Sequence, residues 1–185
     1  MNTNEAILKA ARMQAQSHGY GGLNIRHLAE EVGIKPASIY HHFPGKAELA
    51  VAVAKRYWED AAAELDCMLA AAPDAQSALR EYPAVFRRSL ENDNRLCLGS
   101  FMSAEFDDLP ELVRQEMQTF ADVNVAWLTQ RLVEGNLVKD GEGDARARAI
   151  FASIAGAQLM ARSRSDIALF DSLIQSYRTA GLLPV

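Results

Sequence analysis

The hydrophobic and polar positions of this chain repeat with the period of an α-helix along most of its length. One stretch carries apolar residues at positions i, i+3, i+4 and i+7, which lie on one face of a helix: Ile25, Leu28, Ala29 and Val32. No alternating run of apolar and polar residues is long enough to predict a β-strand. The pattern therefore predicts an all-α fold.

Glycine, proline and capping residues divide this pattern into nine predicted helices. The first three span about residues 4–19, 24–33 and 36–43. Asn24 is a favourable cap for the second helix, and Pro36 suits the first turn of the third. The other six are bounded near residues 46–71, 74–92, 95–105, 108–135, 144–163 and 165–181. We expect a kink at Pro83, and a loop over residues 139–143.

The second and third helices predict a helix-turn-helix, because Gly33 separates two short helices by a tight turn. Small side chains let a helix approach the floor of the major groove, which predicts base contacts from Lys35, Pro36, Ala37 and Ser38. Nearby donors and the N-terminus of the second helix predict phosphate contacts from Asn24, Tyr40, His41 and Lys46. Arg26 is a further DNA-binding candidate. The same layout also occurs in all-α proteins that bind no DNA, where such a face is only solvated.

The distribution of charge favours DNA binding by the first part of the chain. The whole chain of 185 residues has a formal charge of −5, which argues against a nucleic-acid partner. Residues 1–46, however, contain five basic and three acidic residues, and all four histidines. Their charge is +2, which leaves −7 for the remainder. A slightly basic head on an acidic body is compatible with a DNA reader that has a second function.

Several classes of protein fit the sequence poorly. No catalytic triad spacing, glycine-rich phosphate loop, metal-ligand cluster or carboxylate pair appears, so we expect no enzyme, metal or cofactor. No apolar run reaches the roughly 20 residues of a membrane span, and the N-terminus lacks a signal-peptide pattern. We therefore expect a cytoplasmic protein. Its composition is 49% hydrophobic, enough for a sizeable core.

The stretch from Asn24 to Leu49 resembles the DNA-binding domain of the TetR/AcrR family of transcriptional regulators. The most specific part is the run Ile-Tyr-His-His-Phe-Pro-Gly-Lys at 39–46. Ile7-Leu8 and Gly19-Tyr20 also fit the family's first helix, so the resemblance covers roughly residues 4–60. Two departures are Gln14-Ala15, where many relatives have a large apolar residue, and Asn24, where Thr or Ser is usual.

The resemblance implies a nine-helix, TetR-like fold with two domains. Residues 1–46, extending to about 60 with a connecting helix, would form the helix-turn-helix domain. Residues 47–185 would form a helical ligand-binding and dimerisation domain. The function implied is that of a repressor, released from a palindromic double-stranded operator by a small apolar or electrophilic ligand. The alternative is an all-α ligand-binding or interaction protein whose head no longer binds DNA.

The same resemblance implies a homodimer, because two reading helices must sit about 34–36 Å apart to occupy both half-sites. The last two helices carry stripes of apolar and small residues that could meet their copies. The predicted dimer interface comprises Ile150, Ile154, Ala157, Met160, Leu169, Leu173 and Tyr177.

Aromatic and methionine residues on the middle helices predict a largely apolar ligand pocket. It comprises Phe86, Cys97, Phe101, Met102, Phe106, Met117, Phe120, Trp127, Phe151 and Gln158. Such residues are more often simply core. Cys97 carries a second hypothesis, since some relatives have a sensing cysteine near this place. A thiolate at the start of the predicted sixth helix, beside Arg95, would react with electrophiles or oxidants, although a buried, inert thiol is the commoner case.

Overall fold

The computed structural model describes residues 2–139 and 141–185, and in those residues every regular element is helical. The α-helices are α1 (Thr3–His18), α2 (Ile25–Val32), α3 (Pro36–His42), α4 (Lys46–Ala71), α5 (Ala75–Glu81), α6 (Pro83–Glu91), α7 (Leu98–Ala104), α8 (Glu111–Glu134), α9 (Gly143–Arg164) and α10 (Ile167–Thr179). One 3-10 turn covers Phe106–Asp108. Asp140, in the predicted loop 139–143, lies outside the described residues. None of the helices so described is long and apolar enough to cross a bilayer.

The nine-helix prediction is confirmed when α5 and α6 are counted as one bent helix. They meet at Tyr82, whose backbone is helical, and separate at Pro83, which has no N–H to continue the ladder. Two predicted boundaries were wrong. The sixth predicted helix begins at Leu98 rather than Arg95, because residues 95–97 are not helical and follow a turn in which Asp93 and Asn94 have φ of 55° and 53°. Asp108 lies in the 3-10 turn and does not cap α8.

The described chain divides into two compact units. Unit 1 contains the residues up to Asp60 together with Leu98–Phe120. Unit 2 contains Ala61–Cys97 and Ala121–Val185. This division differs from the predicted domains, residues 1–46 (extending to about 60) and 47–185, because Leu98–Phe120 packs with the first sixty residues although it is distant in sequence.

Unit 1 has a small core in which each short helix buries few side chains. The fully buried side chains include Ile7 and Ala11 of α1, Leu28 of α2 and Ile39 of α3, with Leu49 of α4. Other predicted core residues of the head, such as Ile25 and Val32, are only partly buried. Truncating one of the four larger side chains, Ile7, Leu28, Ile39 or Leu49, to alanine typically costs about 2–5 kcal/mol. The helices α2 and α3 therefore depend on few buried side chains.

Unit 2 is organised around α9, and its burial corrects part of the predicted dimer interface. Ile150, Ile154 and Ala157 have no exposed surface in the single chain, because they face the intrachain core. They have no area to offer a partner, so their assignment to the interface was wrong in its choice of helix face. Met160 is 45% exposed, and the neighbouring Leu159 is 57% exposed. On α10, the predicted residues Leu169, Leu173 and Tyr177 are partly exposed.

Candidate DNA-binding site

The start of α2 is fixed by a side-chain cap. The Oδ1 atom of Asn24 accepts hydrogen bonds from the backbone N–H groups of Arg26 at 2.9 Å and His27 at 3.2 Å. Asn24 thus caps α2 as serine or threonine would, and its side-chain Oδ1 atom is already engaged by these two N–H groups. We expect its contribution to DNA binding to come from orienting this helix N-terminus, whose backbone N–H groups attract a phosphate.

The turn between α2 and α3 has a backbone conformation that favours glycine. Gly33 has φ of 75° and ψ of 34°, in the left-handed region, and its N–H closes α2 against Ala29 and Glu30. Pro36 then occupies the first turn of α3, where a missing N–H costs nothing. Gly33 and Pro36 together favour a short turn, so the local sequence helps to define the direction of α3 relative to α2.

The helix α3 presents its small and polar residues to solvent on one side. Ile39 is fully buried, and Phe43 after the helix is nearly so. The predicted base-contacting residues Lys35, Pro36 and Ala37 are exposed, while Ser38 is partly buried. Tyr40 is 51% exposed, and His41 is exposed beside it. Most of the predicted DNA-binding side chains on α3 are therefore accessible to solvent, and Arg26 of α2 is also exposed.

Lys46 has a more constrained role than the sequence indicated. Its Nζ atom donates a hydrogen bond to the carbonyl oxygen of Gly21 at 3.0 Å and lies 4.6 Å from the centroid of the Tyr20 ring. Burial, and secondarily the charge of Glu48, raise the pKa of Tyr20 above its ordinary value, so this ring stays neutral. An ammonium group has three donors, and Lys46 keeps capacity for a phosphate while it braces the α1–α2 loop.

Two residues around this head were missed by sequence reasoning. Gln14 stands where many relatives have an apolar residue, and its Oε1 accepts the backbone N–H of Asn24 at 3.3 Å. Glu105, which follows α7, accepts the backbone N–H of Tyr20 at 2.7 Å. The departure at Gln14 was a visible signal for the first contact. No local sequence pattern predicts the hydrogen bond between Glu105 and Tyr20, because the two residues are 85 positions apart.

Five of the predicted pocket residues come together in unit 2 around Tyr82, which the sequence did not single out. We call Tyr82, Phe86, Trp127 and Phe151 the aromatic cluster. The Tyr82 and Trp127 rings stack with centroids 5.7 Å apart, while Phe86 meets Tyr82 at 5.9 Å and Phe151 at 6.0 Å. The indole N–H of Trp127 is buried and has no hydrogen-bond partner among the described residues.

Buried amides hold this cluster together. Gln158 donates from Nε2 to the carbonyl oxygen of Phe86 at 2.6 Å and accepts the Cys97 backbone N–H on Oε1 at 3.0 Å. The hydroxyl of Tyr82 donates to Oδ1 of Asn124 at 2.8 Å. Burial, followed by the proximity of Cys97, raises the pKa of Tyr82 well above 10.0. Gln158 thus joins two segments of the chain by bonds within the protein.

Cys97 is buried and precedes the first residue of α7, whereas Cys67 is exposed. Cys97 thus lies one residue before the helix that it was predicted to begin. Its side chain is only 2% exposed. A reagent dissolved in water has better access to Cys67. The sensing hypothesis for Cys97 stays a prediction.

The other five predicted pocket residues belong to unit 1 and do not all point inward. Met102, Met117 and Phe120 are buried, and Phe101 is partly buried. Phe106 is 50% exposed and lies under the guanidinium of Arg114, 5.0 Å from the ring centroid. Its assignment to an enclosed pocket was wrong, because it sits in the 3-10 turn at the surface.

An open cleft in unit 2 involves different residues. It has a volume of about 590 Å³ and lies between the end of α4 and the α5–α6 pair, with Cys67, Met68, Arg80 and Arg88 in its wall. None of the ten predicted pocket residues lines it. The predicted pocket therefore stays a prediction.

Comparison with known proteins agrees with this architecture. The sequence profile described as "Bacterial regulatory proteins, tetR family" matches residues 7–53. The HTH-type transcriptional repressor AcnR of Corynebacterium efficiens is 40% identical over 62 residues, which are 34% of this chain and 31% of AcnR. The chain thus matches about a third of the length of that relative.

Two further similarities extend over most of the chain. The HTH-type transcriptional repressor NemR of Escherichia coli is 27% identical over 172 residues, covering 89% of this chain and 86% of NemR. A crystal structure of a TetR transcriptional regulator from Legionella pneumophila superimposes with a TM-score of 0.90 at 26% identity, covering 97% of both chains. Residues 7–53 therefore carry a TetR-family DNA-binding domain, and the chain as a whole has the fold of a TetR-family regulator.

Proposed function

We propose that this protein is a transcriptional repressor that binds a palindromic DNA operator as a homodimer and releases it when a small ligand binds. The observation that carries the proposal is the exposed face of α3, where small and polar residues stand opposite the buried Ile39. A helix that exposes small and polar side chains fits the major groove, which admits one α-helix and offers hydrogen-bond donors and acceptors to its side chains. The names of AcnR and NemR, both repressors, support this direction of regulation.

The roles of the head residues follow from their positions. Lys35, Ala37 and Ser38 at the beginning of α3 are proposed to contact bases, together with Pro36. Tyr40, His41 and Lys46 are proposed to contact phosphates, as is the N-terminus of α2 with Arg26. Each neutralised phosphate releases counterions, so affinity should fall steeply as salt rises.

The dimer is proposed to form through the exposed side of α9 together with α10. Leu159 and Met160 are large apolar side chains that water covers in the single chain. A Cβ at the exposed Gly156 would meet nothing within 4 Å, so this part of α9 leaves room for close approach of another helix. The partly exposed residues Leu169, Leu173 and Tyr177 extend the same apolar character onto α10. Replacing Leu159 by Glu should shift the protein towards monomer.

The effector is proposed to be a small apolar or electrophilic compound that acts in the body. The aromatic cluster and the unpartnered indole N–H of Trp127 favour a flat, apolar molecule with a hydrogen-bond acceptor. Such a ligand releases DNA only if it binds the released conformation more tightly than the DNA-bound one. The proposed site of action is the cytoplasm, where the operator is accessible.

Selection of bound sequences from random duplex DNA with the purified protein tests this function. We expect an inverted repeat whose half-sites are about one helical turn apart, bound by a dimer. The matched control is the monomer-shifting Leu159→Glu variant, which should lose affinity for the repeat. The alternative, an all-α ligand-binding protein with an inactive head, predicts that no sequence is enriched and that residual DNA binding is weak and unspecific. If the wild-type protein enriches no DNA sequence, the proposed function is wrong.

A further inference from the structure

The loop between α1 and α2, residues 19–23, is held by one carboxylate from a distant part of unit 1. Glu105 directly follows α7, and its Oε2 accepts the backbone N–H of Tyr20 at 2.7 Å. The neighbouring Gly19 has φ of 68°, and a Cβ there would collide with both carboxylate oxygens of Glu105. The carboxylate therefore occupies the space that a side chain at position 19 would need. A bond to an ionised acceptor is stronger than one between neutral groups.

The same loop supports the DNA-facing surface. Lys46 donates to the carbonyl oxygen of Gly21 at 3.0 Å, and its ammonium group lies against the Tyr20 ring. The loop ends at Leu23, next to the Asn24 cap that begins α2. A displacement of Tyr20 would therefore move both a proposed phosphate donor and the N-terminus of the first helix of the helix-turn-helix.

The helix α7 is itself fixed at both ends. At its beginning, the backbone N–H of Leu98 donates to the hydroxyl oxygen of Tyr57 at 3.3 Å. Gly99 packs so closely on the Phe120 ring that a Cβ there would collide with it, and Phe120 meets Tyr57 with ring centroids 5.1 Å apart. At its end, Glu105 reaches Tyr20. Contacts of this closeness define one position for α7, since packed interiors deform little.

We propose that Glu105 is a positioning residue for operator binding, because its carboxylate holds the α1–α2 loop and makes the placement of the reading head depend on the position of α7. Glu105 does not contact DNA in this role. It acts through the Tyr20 amide and, beyond it, through Lys46 and α2. This role rests on the proposed function, since it concerns affinity for an operator.

The test compares operator affinity and the protection of one amide in matched variants. Fluorescence anisotropy with the duplex selected by the wild-type protein gives Kd, and hydrogen exchange followed by NMR reports the Tyr20 amide in the DNA-free protein. Glu105→Ala should weaken operator binding by about tenfold and accelerate exchange at Tyr20. Glu105→Gln keeps an acceptor oxygen without the charge, and should weaken binding by about threefold.

Two control variants separate positioning from general destabilisation. Asp107→Asn removes an exposed carboxylate two positions away, and should leave affinity unchanged. Trp58→Phe removes another side-chain hydrogen bond of unit 1, the 2.6 Å bond from Trp58 Nε1 to Glu116, and should also leave operator affinity within twofold. If Glu105→Ala does not fold, Glu105→Gln takes its place with the same two measurements.

The outcomes are distinct. Wild-type affinity in the Glu105 variants would overturn the positioning role, as would equal weakening by Trp58→Phe. A wild-type protein that selects no DNA would overturn the proposed function and this role with it. Wild-type DNA binding that is insensitive to Glu105 would overturn the role alone.

Discussion

The helix-turn-helix and the aromatic cluster are both built from α-helices, but they differ in how far their candidate site residues are buried. In α2 and α3, the side chains proposed to act are exposed, and few buried residues hold the helices. In the aromatic cluster of unit 2, the predicted site residues are mostly buried and bonded to one another. A substitution on the exposed face of α3 therefore need not alter stability, whereas one in the aromatic cluster should.

This difference has a physical origin in how each region is assembled. The residues of the helix-turn-helix are neighbours in sequence, and glycine, proline and an asparagine cap set their relative directions locally. The aromatic cluster joins residues 82–86, 127 and 151, and its bridging amide comes from Gln158. Such contacts form only when the chain folds as a whole, so a substitution there acts first on the folding equilibrium.

We expect the largest loss of stability from truncating a side chain within the aromatic cluster. Phe86→Ala should lower the free energy of unfolding by about 3–5 kcal/mol, because the side chain is 1% exposed and touches two other rings. Phe106→Ala, which removes the same atoms from a half-exposed position, should cost under about 1 kcal/mol. Urea denaturation measures both, and similar losses in the two variants would contradict the distinction.

An intermediate effect is expected in the head, and on binding rather than on folding. Tyr40→Ala should weaken binding to all DNA sequences by about tenfold, while stability changes by less than about 0.5 kcal/mol. Ser38→Ala should instead alter sequence preference, at about 1 kcal/mol or more for the affected base pair. Titrations against the selected operator and its single-base variants distinguish the two patterns. If Tyr40→Ala lowered the free energy of unfolding as much as Phe86→Ala, the expectation that α3 side chains act on binding and not on stability would be wrong.

The smallest expected effect concerns pH. Because the pKa of Tyr82 is raised above 10.0 in the folded protein, the unfolded chain loses this proton first as pH rises. The unfolded state then binds fewer protons, so stability is unaffected well below pH 10 and falls above it. The loss from this group approaches about 1.4 kcal/mol per pH unit until the folded hydroxyl also ionises. Urea titrations between pH 8 and about pH 11 should show a shallower decline in Tyr82→Phe. Equal slopes would show that Tyr82 does not couple folding to pH.

Within the head, sequence reasoning identified side chains better than their partners. The exposed face of α3 was predicted from spacing and small residues, and the structure leaves Ala37 and Tyr40 accessible as expected. The bond from Lys46 to Gly21 and the carboxylate of Glu105 on Tyr20 were not predicted. Each depends on a position fixed by packing elsewhere, and no local pattern encodes it.

Helix faces in unit 2 were harder to assign. The stripe Ile150, Ile154 and Ala157 has the composition of either an interface or an intrachain core, and hydrophobic periodicity cannot distinguish them. Burial assigns all three to the core and leaves Leu159 and Met160 outside. Phe106 was misplaced for a related reason, since an aromatic residue in a short turn can face either way.

Caps, glycines, prolines and short-range spacing were enough to predict the all-α class, most of the helix boundaries and the helix-turn-helix. The folded structure was needed to show that Leu98–Phe120 packs with the first sixty residues, that Tyr82 lies within the aromatic cluster, and that Glu105 reaches the α1–α2 loop. Those features depend on which distant surfaces fit together. Shape complementarity and buried hydrogen bonds select that arrangement, and neither has a periodic signature along the chain.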